Sequence, residues 1–240
     1  EALFWPNMAH DIEQKISLCS TCLENRPNQR KEPLLPHSVP NLPWQKVGTD
    51  LMTKDGRDYI VVIDYYTKYP EVMLINSTSS KAVITALKSI FARHGIPNMV
   101  TSENGPAYAS CEFHDFATKS GFDHVTSSPT HSQSNGQAEN TVKTIKNLLK
   151  KADDPYLAML GLPNTPLQGI NYAPAQLLFG RRLRTTVPMC ADLLQPESPD
   201  HNIVRANLLK NQHKQKQFYD QHANKAPLPE LVEGEIVRVK

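Results

Sequence analysis

Tyr59-Ile60-Val61-Val62-Ile63-Asp64-Tyr65 is a β-branched, apolar run that reads as a buried strand. The pattern stays regular in both directions from it. Asp55-Gly56 offers a turn, and before it Lys46–Met52 reads as a strand. Tyr69–Ile75 reads as a third, so the three strands form a meander. Ser79 can cap a helix that runs to His94 and stops at Gly95, with Ala82, Ile90 and Phe91 on its apolar side. Met99–Ser102 reads as a short strand, 110–120 as a helix closed by Gly121, and Asp123–Thr126 as a last strand. A longer helix is expected over about 135–151 and a shorter one from 155. The order β-β-β-α-β-α-β-α predicts an α/β layer with a mixed sheet.

The flanks differ from this centre. Residues 8–18 read as a short helix leading into Cys19-Ser20-Thr21-Cys22, and the proline-bearing stretch Arg26–Pro43 reads as a linker. Residues 201–220 read as a polar helix that carries Arg205, Lys210, Lys214 and Lys216. Residues 227–240 look like the opening of a small β domain, ending on the alternating Glu235-Ile236-Val237-Arg238-Val239-Lys240. Lys and Arg number 26 against 24 acids in 240 residues, so no charged tail dominates. With 39% hydrophobic residues and a mean hydropathy of −0.46 the chain reads as soluble, and no apolar run suggests a membrane partner or span. No targeting signal is visible at its start. The four cysteines include one close pair, which argues for a reducing compartment and against a disulfide framework.

Three carboxylates carry the candidate chemistry. Asp50 lies in the first strand, Glu103 just beyond the fourth, and Glu139 in the long helix, 35 residues separating the last two. Such a cluster can hold two divalent ions on either side of a phosphodiester. Oxygen-only ligands suit Mg²⁺ or Mn²⁺ and not zinc. With 24 acids in 240 residues a bare triplet arises often, and spacing alone favours three solvated surface acids.

The surrounding motifs change that weighting. Gly48-Thr49-Asp50-Leu51-Met52, Asp64-Tyr65-Tyr66-Thr67-Lys68-Tyr69-Pro70, His94-Gly95-Ile96-Pro97, Ser102-Glu103-Asn104-Gly105-Pro106 and Gln133-Ser134-Asn135-Gly136-Gln137-Ala138-Glu139 occur in one order. With Pro174-Ala175-Gln176-Leu177-Leu178-Phe179-Gly180-Arg181-Arg182-Leu183-Arg184, they resemble the integrase of gypsy-type LTR retrotransposons, a relative of retroviral integrase. The resemblance implies an RNase H-like core, a mixed five-stranded sheet flanked by helices, over residues 41–195. It also implies a remnant of a zinc-binding domain and linker at 1–40, a basic linker helix at 196–224, and the start of a C-terminal β-barrel at 225–240. The implied activity is metal-dependent polynucleotidyl transfer, in which trimmed 3′-hydroxyls of element DNA attack both strands of a target. Asp50, Glu103 and Glu139 fall on the three metal-binding acids, with Asp50 bridging both ions. The implied partners are double-stranded DNA, as element ends and target, and further copies of the chain. The function implies the nucleus.

The chain departs from the family pattern at several positions. Glu103 stands where the family has Asp, Ser132 where it has Pro, and Asn140 where it commonly has Arg. Pro163 falls where the resemblance predicts a continuing helix, although Asn164 and Pro166 allow the helix to end at Leu162. Two readings therefore stay open: a working integrase core, and a catalytically dead, element-derived DNA-binding or scaffold protein.

Cys19-x-x-Cys22 has the spacing of half a zinc site. The resemblance puts two histidine ligands upstream of Glu1, and the substitutes the chain offers, His10 and His37, do not sit at the family's spacing, so Zn²⁺ is expected only if those ligands are supplied. Two partly buried thiols are an equal alternative. On the long helix, Glu139, Lys143, Lys146 and Lys150 follow steps of four, three and four and share a face, while Val142, Ile145 and Leu149 form the neighbouring apolar stripe. Lysines beside an acidic cluster suit phosphate contacts, and Asn135 just before the helix joins this candidate DNA-binding set. A solvated lysine face is the plain alternative.

Overall fold

The turn at Asp55-Gly56 has left-handed backbone at both residues, φ 51° and 71°. That is the geometry a two-residue hairpin needs, and Asp-Gly adopts it at low cost. It joins β1, Lys46–Lys54, to β2, Arg57–Asp64, and β2 runs back antiparallel to β3, Pro70–Ile75. The strands are longer than the apolar runs alone suggest, because pairing carries β1 and β2 to the turn itself.

The computed structural model describes residues 4–19, 21, 33–34, 38–126, 136–152, 154–221 and 223, and for residues 17, 136–140, 142 and 155 it describes the backbone alone. The expected barrel strands at 227–240, Cys22, His37, Asn135 and most of the linker lie outside these residues. Two compact units divide the chain: Leu35–Lys216, and Glu1–Leu34 with Gln217–Lys240. In the smaller unit, α1 spans Met8–Ser17, and Trp5 Nε1 donates to Asp11 at 2.8 Å before its first turn closes.

In the larger unit, α2, Ser80–His94, follows β3. The Ser79 hydroxyl accepts from Ala82 N at its start, and Gly95 at φ 90° ends it. β4, Met99–Ser102, then lies parallel to β1. α3, Cys111–Ser120, is capped by Ser110 and closed by Gly121, and β5, Asp123–Thr126, lies parallel to β4. The sheet order is β3-β2-β1-β4-β5, the mixed five-stranded sheet flanked by helices that the sequence predicts. α4, Gly136–Lys151, and α5, Pro155–Gly161, complete the layer. α5 ends at Gly161, and the buried Pro163 sits in a 3₁₀ turn over Leu162–Asn164. The continuing helix implied by the resemblance is therefore absent, and Pro163 interrupts nothing. α6, Pro174–Phe179, and α7, His201–Asp220, follow.

Period-2 alternation divides the strands between two cores. Val47, Ile60, Val62 and Val100 pack under Val83, Leu87, Ile90 and Phe91 of α2 and Phe113 and Phe116 of α3. On the other face Met52 and Val61 pack under Ile145 and Leu149 of α4. Ile145 and Leu149 are two of the three residues expected in the stripe of that helix. A third cluster joins Tyr66 to Ile170, Leu177, Val204 and Leu208, so the first half of α7 buries apolar side chains instead of lying free.

Two of the recognisable motifs build scaffold. Asp64, fully buried, accepts from Tyr66 N, Thr67 N and Thr67 Oγ1 at 3.2, 3.0 and 2.7 Å and so fixes the turn between β2 and β3. The His94 ring lies tilted 4.4 Å from that of Trp44 and 6.0 and 6.1 Å from the Tyr69 and Phe179 rings, and meets Glu71 Oε1 at 2.6 Å. It thereby ties α6 to the edge of the sheet.

Candidate active site

The strand register decides where the acids go. In the parallel pairing of β1 with β4, Thr49 stands opposite Ser102. One residue further on, Asp50 and Glu103 emerge together on the α4 side, while Thr49 and Ser102 turn to the α2–α3 side. The two carboxyl groups lie close enough to share a hydrogen bond once one of them is protonated. Asp50 is only 6% exposed, and Leu51 N donates to its Oδ1 at 2.8 Å. Burial, then the hydrogen bond and charge of Glu103, push the Asp50 carboxyl up to about 8; the Leu51 amide and the Lys146 ammonium pull the other way. Two acids in contact cannot both ionise without a cation between or beside them.

Lys146 is thus close enough to act on Asp50, and it is half-buried, whereas Lys143 and Lys150 are exposed. Ile145 and Leu149 seat α4 on the sheet, and Lys146 of the same helix comes within electrostatic reach of Asp50. The backbone of Glu139 lies in the first turn of the same helix, two turns before Lys146. Its side chain is outside those described, so the meeting of all three acids is described only for Asp50 and Glu103. Among the described side chains no group of three or more His, Cys, Asp or Glu converges on one point. Cys19 is half-buried.

Behind each acid stands a buried polar pair that the sequence reading missed. Thr49 Oγ1 and Tyr108 OH are 2.9 Å apart, and burial raises the Tyr108 phenol so that it stays protonated. Ser102 Oγ donates to the Glu103 carbonyl at 2.9 Å and lies 2.8 Å from His124 Nε2. Burial, then the nearby His114, lower the His124 pKa and keep the ring neutral. The signal for the second pair was the length of β4 and β5. With Val100 opposite His124 in a parallel ladder, Ser102 is the diagonal neighbour on the same face.

Residues 42–132, which contain all five strands, Asp50 and Glu103, match the family model described as Integrase core domain. This chain carries an integrase core domain. It is 33% identical over 91% of its length to the uncharacterized protein K02A2.6 of Caenorhabditis elegans. It is 30% identical over 74% of its length to the Pro-Pol polyprotein of Simian foamy virus type 3 (strain LK3). With the transposon Tf2-3 polyprotein of Schizosaccharomyces pombe it shares 28% identity over 61%. The chain spans 18%, 17% and 12% of these relatives' lengths. Its fold is similar to that of a chain in the simian T-cell lymphotropic virus intasome, solved in complex with PP2A regulatory subunit B56 gamma. The TM-score is 0.57 at 21% identity, covering 77% of this chain and 71% of that one. No described helix of the integrase core is long and apolar enough to cross a membrane.

Proposed function

We propose that this integrase core, of the gypsy type, joins the 3′ ends of element DNA to target DNA by divalent-metal-dependent polynucleotidyl transfer. The observation that carries this reading is the contact of Asp50 with Glu103 at the adjoining ends of two parallel strands, beneath a lysine-bearing helix. Two hard carboxylates side by side, Asp50 buried and Glu103 exposed, with Asp50 held protonated by its burial and then by Glu103, fit Mg²⁺ or Mn²⁺. Asp50 and Glu103 would hold the cation, with Glu139 as the third ligand supplied from α4. When bound, the metal would polarise the phosphodiester and lower the pKa of the attacking hydroxyl. Lys146, Lys143 and Lys150 would neutralise the phosphates of the incoming strand, and Asn135 would contact the same DNA. Copies of the chain would pair to present two ends to one target, in the nucleus. Cys19 and Cys22 would bind zinc once the two upstream histidine ligands are supplied.

Glu103, where the family has Asp, favours a second reading, a catalytically dead DNA-binding or scaffold protein. A dumbbell oligonucleotide that mimics the product of strand transfer separates the two. Its reversal requires the same chemistry but no knowledge of the element's ends. Metal-dependent resealing that Asp50→Asn abolishes supports the enzyme. DNA binding without any resealing, in Mg²⁺ or Mn²⁺, supports the scaffold.

A further inference from the structure

The serine hydroxyl next to Glu103 has one hydrogen, and it is donated to the Glu103 carbonyl at 2.9 Å. His124 Nε2 lies 2.8 Å from the same Ser102 Oγ, and with the hydroxyl hydrogen on the Glu103 carbonyl the hydrogen of this contact belongs to the histidine nitrogen. A directed relay results: His124 Nε2–H donates to Ser102 Oγ, and Ser102 Oγ–H donates to the peptide that carries the Glu103 side chain. Each member is fixed from elsewhere. Ser102 is fully buried. The His124 ring stands 4.7 Å from the Phe113 ring and 6.3 Å from that of Tyr108. Tyr108 itself is bound to Thr49, the neighbour of Asp50.

We propose that His124 is a positioning residue that sets the Glu103 carboxylate for cation binding by acting through Ser102. The inference rests on the reading of Asp50 and Glu103 as the cation site. Without the relay, the peptide after β4 loses this tether, and Glu103 leaves the place where it meets Asp50. Outer hydrogen bonds of this kind are worth about 10- to 100-fold in metal affinity.

Mn²⁺ binding is followed by the electron paramagnetic resonance signal of the free ion, for the whole chain and for Asp50→Asn, His124→Phe, His124→Gln and Ser102→Ala. Phe preserves the ring packing and removes the donor, whereas Gln places an amide N–H near Nε2. The expected result is an affinity about 10- to 100-fold lower for His124→Phe and for Ser102→Ala, no further loss in the double variant, and recovery in His124→Gln. In the unmodified protein, ¹⁵N shifts of the imidazole should report the Nε2–H tautomer; this reading needs neither metal nor a variant that folds. His124→Phe binding Mn²⁺ as well as the unmodified chain, Gln failing to rescue, or an Nδ1–H tautomer would each overturn the proposal. Unmodified protein that binds Mn²⁺ no better than Asp50→Asn would instead remove the cation site, and this inference with it.

Discussion

Replacing Glu103 by Asp should raise the rate of Mg²⁺-dependent resealing by about 10- to 100-fold. One methylene accounts for the effect. Removing it retracts the carboxylate by about 1.3 Å along the side chain. The backbone cannot follow the longer residue to compensate, because the Glu103 carbonyl is tied to Ser102 at 2.9 Å and β4 is paired on both sides, to β1 and β5. Catalytic groups tolerate displacements of about 0.5 Å, and an error near 1 Å costs about 100-fold in rate. A strained rotamer can draw Glu back at about 0.5–1.5 kcal/mol, which lowers the expected gain toward 10-fold. The assay is single-turnover resealing of the dumbbell, with Asp50→Asn as the inactive control in both backgrounds. Mn²⁺, with more permissive geometry, should help the unmodified chain more than the variant. Equal rates for the unmodified chain and Glu103→Asp in Mg²⁺ would refute the geometric reasoning.

Charge reversal at Lys143 and Lys146 together should weaken binding to duplex DNA and lower the slope of log affinity against log salt by about two, since each phosphate contact contributes about 0.9; an unchanged slope in a salt titration would mean that the helix face is only solvated. Glu71 provides a pH test of the scaffold. Burial raises its carboxyl, but hydrogen bonds and charge from His94 and Arg93 outweigh burial and hold it below its ordinary 4.5. A depressed carboxylate stabilises the fold above its unfolded pKa, and that contribution disappears as pH falls through the depressed value. Glu71→Gln should therefore cost about 1.5–3 kcal/mol in urea denaturation at pH 7 and progressively less below pH 4.5; a cost independent of pH would contradict the assignment.

Much of the scaffold was legible because its signals are local. The β-branched run at 59–65, Asp55-Gly56, the serine caps at 79 and 110 and the glycine stops at 95 and 121 each act within a few residues. The pairing of the acids was legible for a related reason: strand alternation puts Asp50 and Glu103 on one face once β1 and β4 lie side by side. What escaped is what depends on tertiary register. Ser102 and His124 are 22 residues apart and meet only as diagonal neighbours across two parallel strands. Thr49 and Tyr108 meet across 59 residues. Asp64 and His94 stand out in the motifs, yet one serves a turn and the other an aromatic cage, and neither role is visible from spacing. Pro163 was ambiguous because a proline forbids a helix interior equally well at a break or just past an end.

In the proposed reaction Asp50 and Glu103 together hold a divalent cation. Anomalous diffraction from crystals soaked in Mn²⁺ addresses it without reference to any reaction. A peak is expected within about 2–2.5 Å of oxygens from both carboxylates, lost in Asp50→Asn crystals. A well-ordered site with the two carboxyl groups still hydrogen-bonded to each other, and manganese absent or bound only elsewhere, would contradict it.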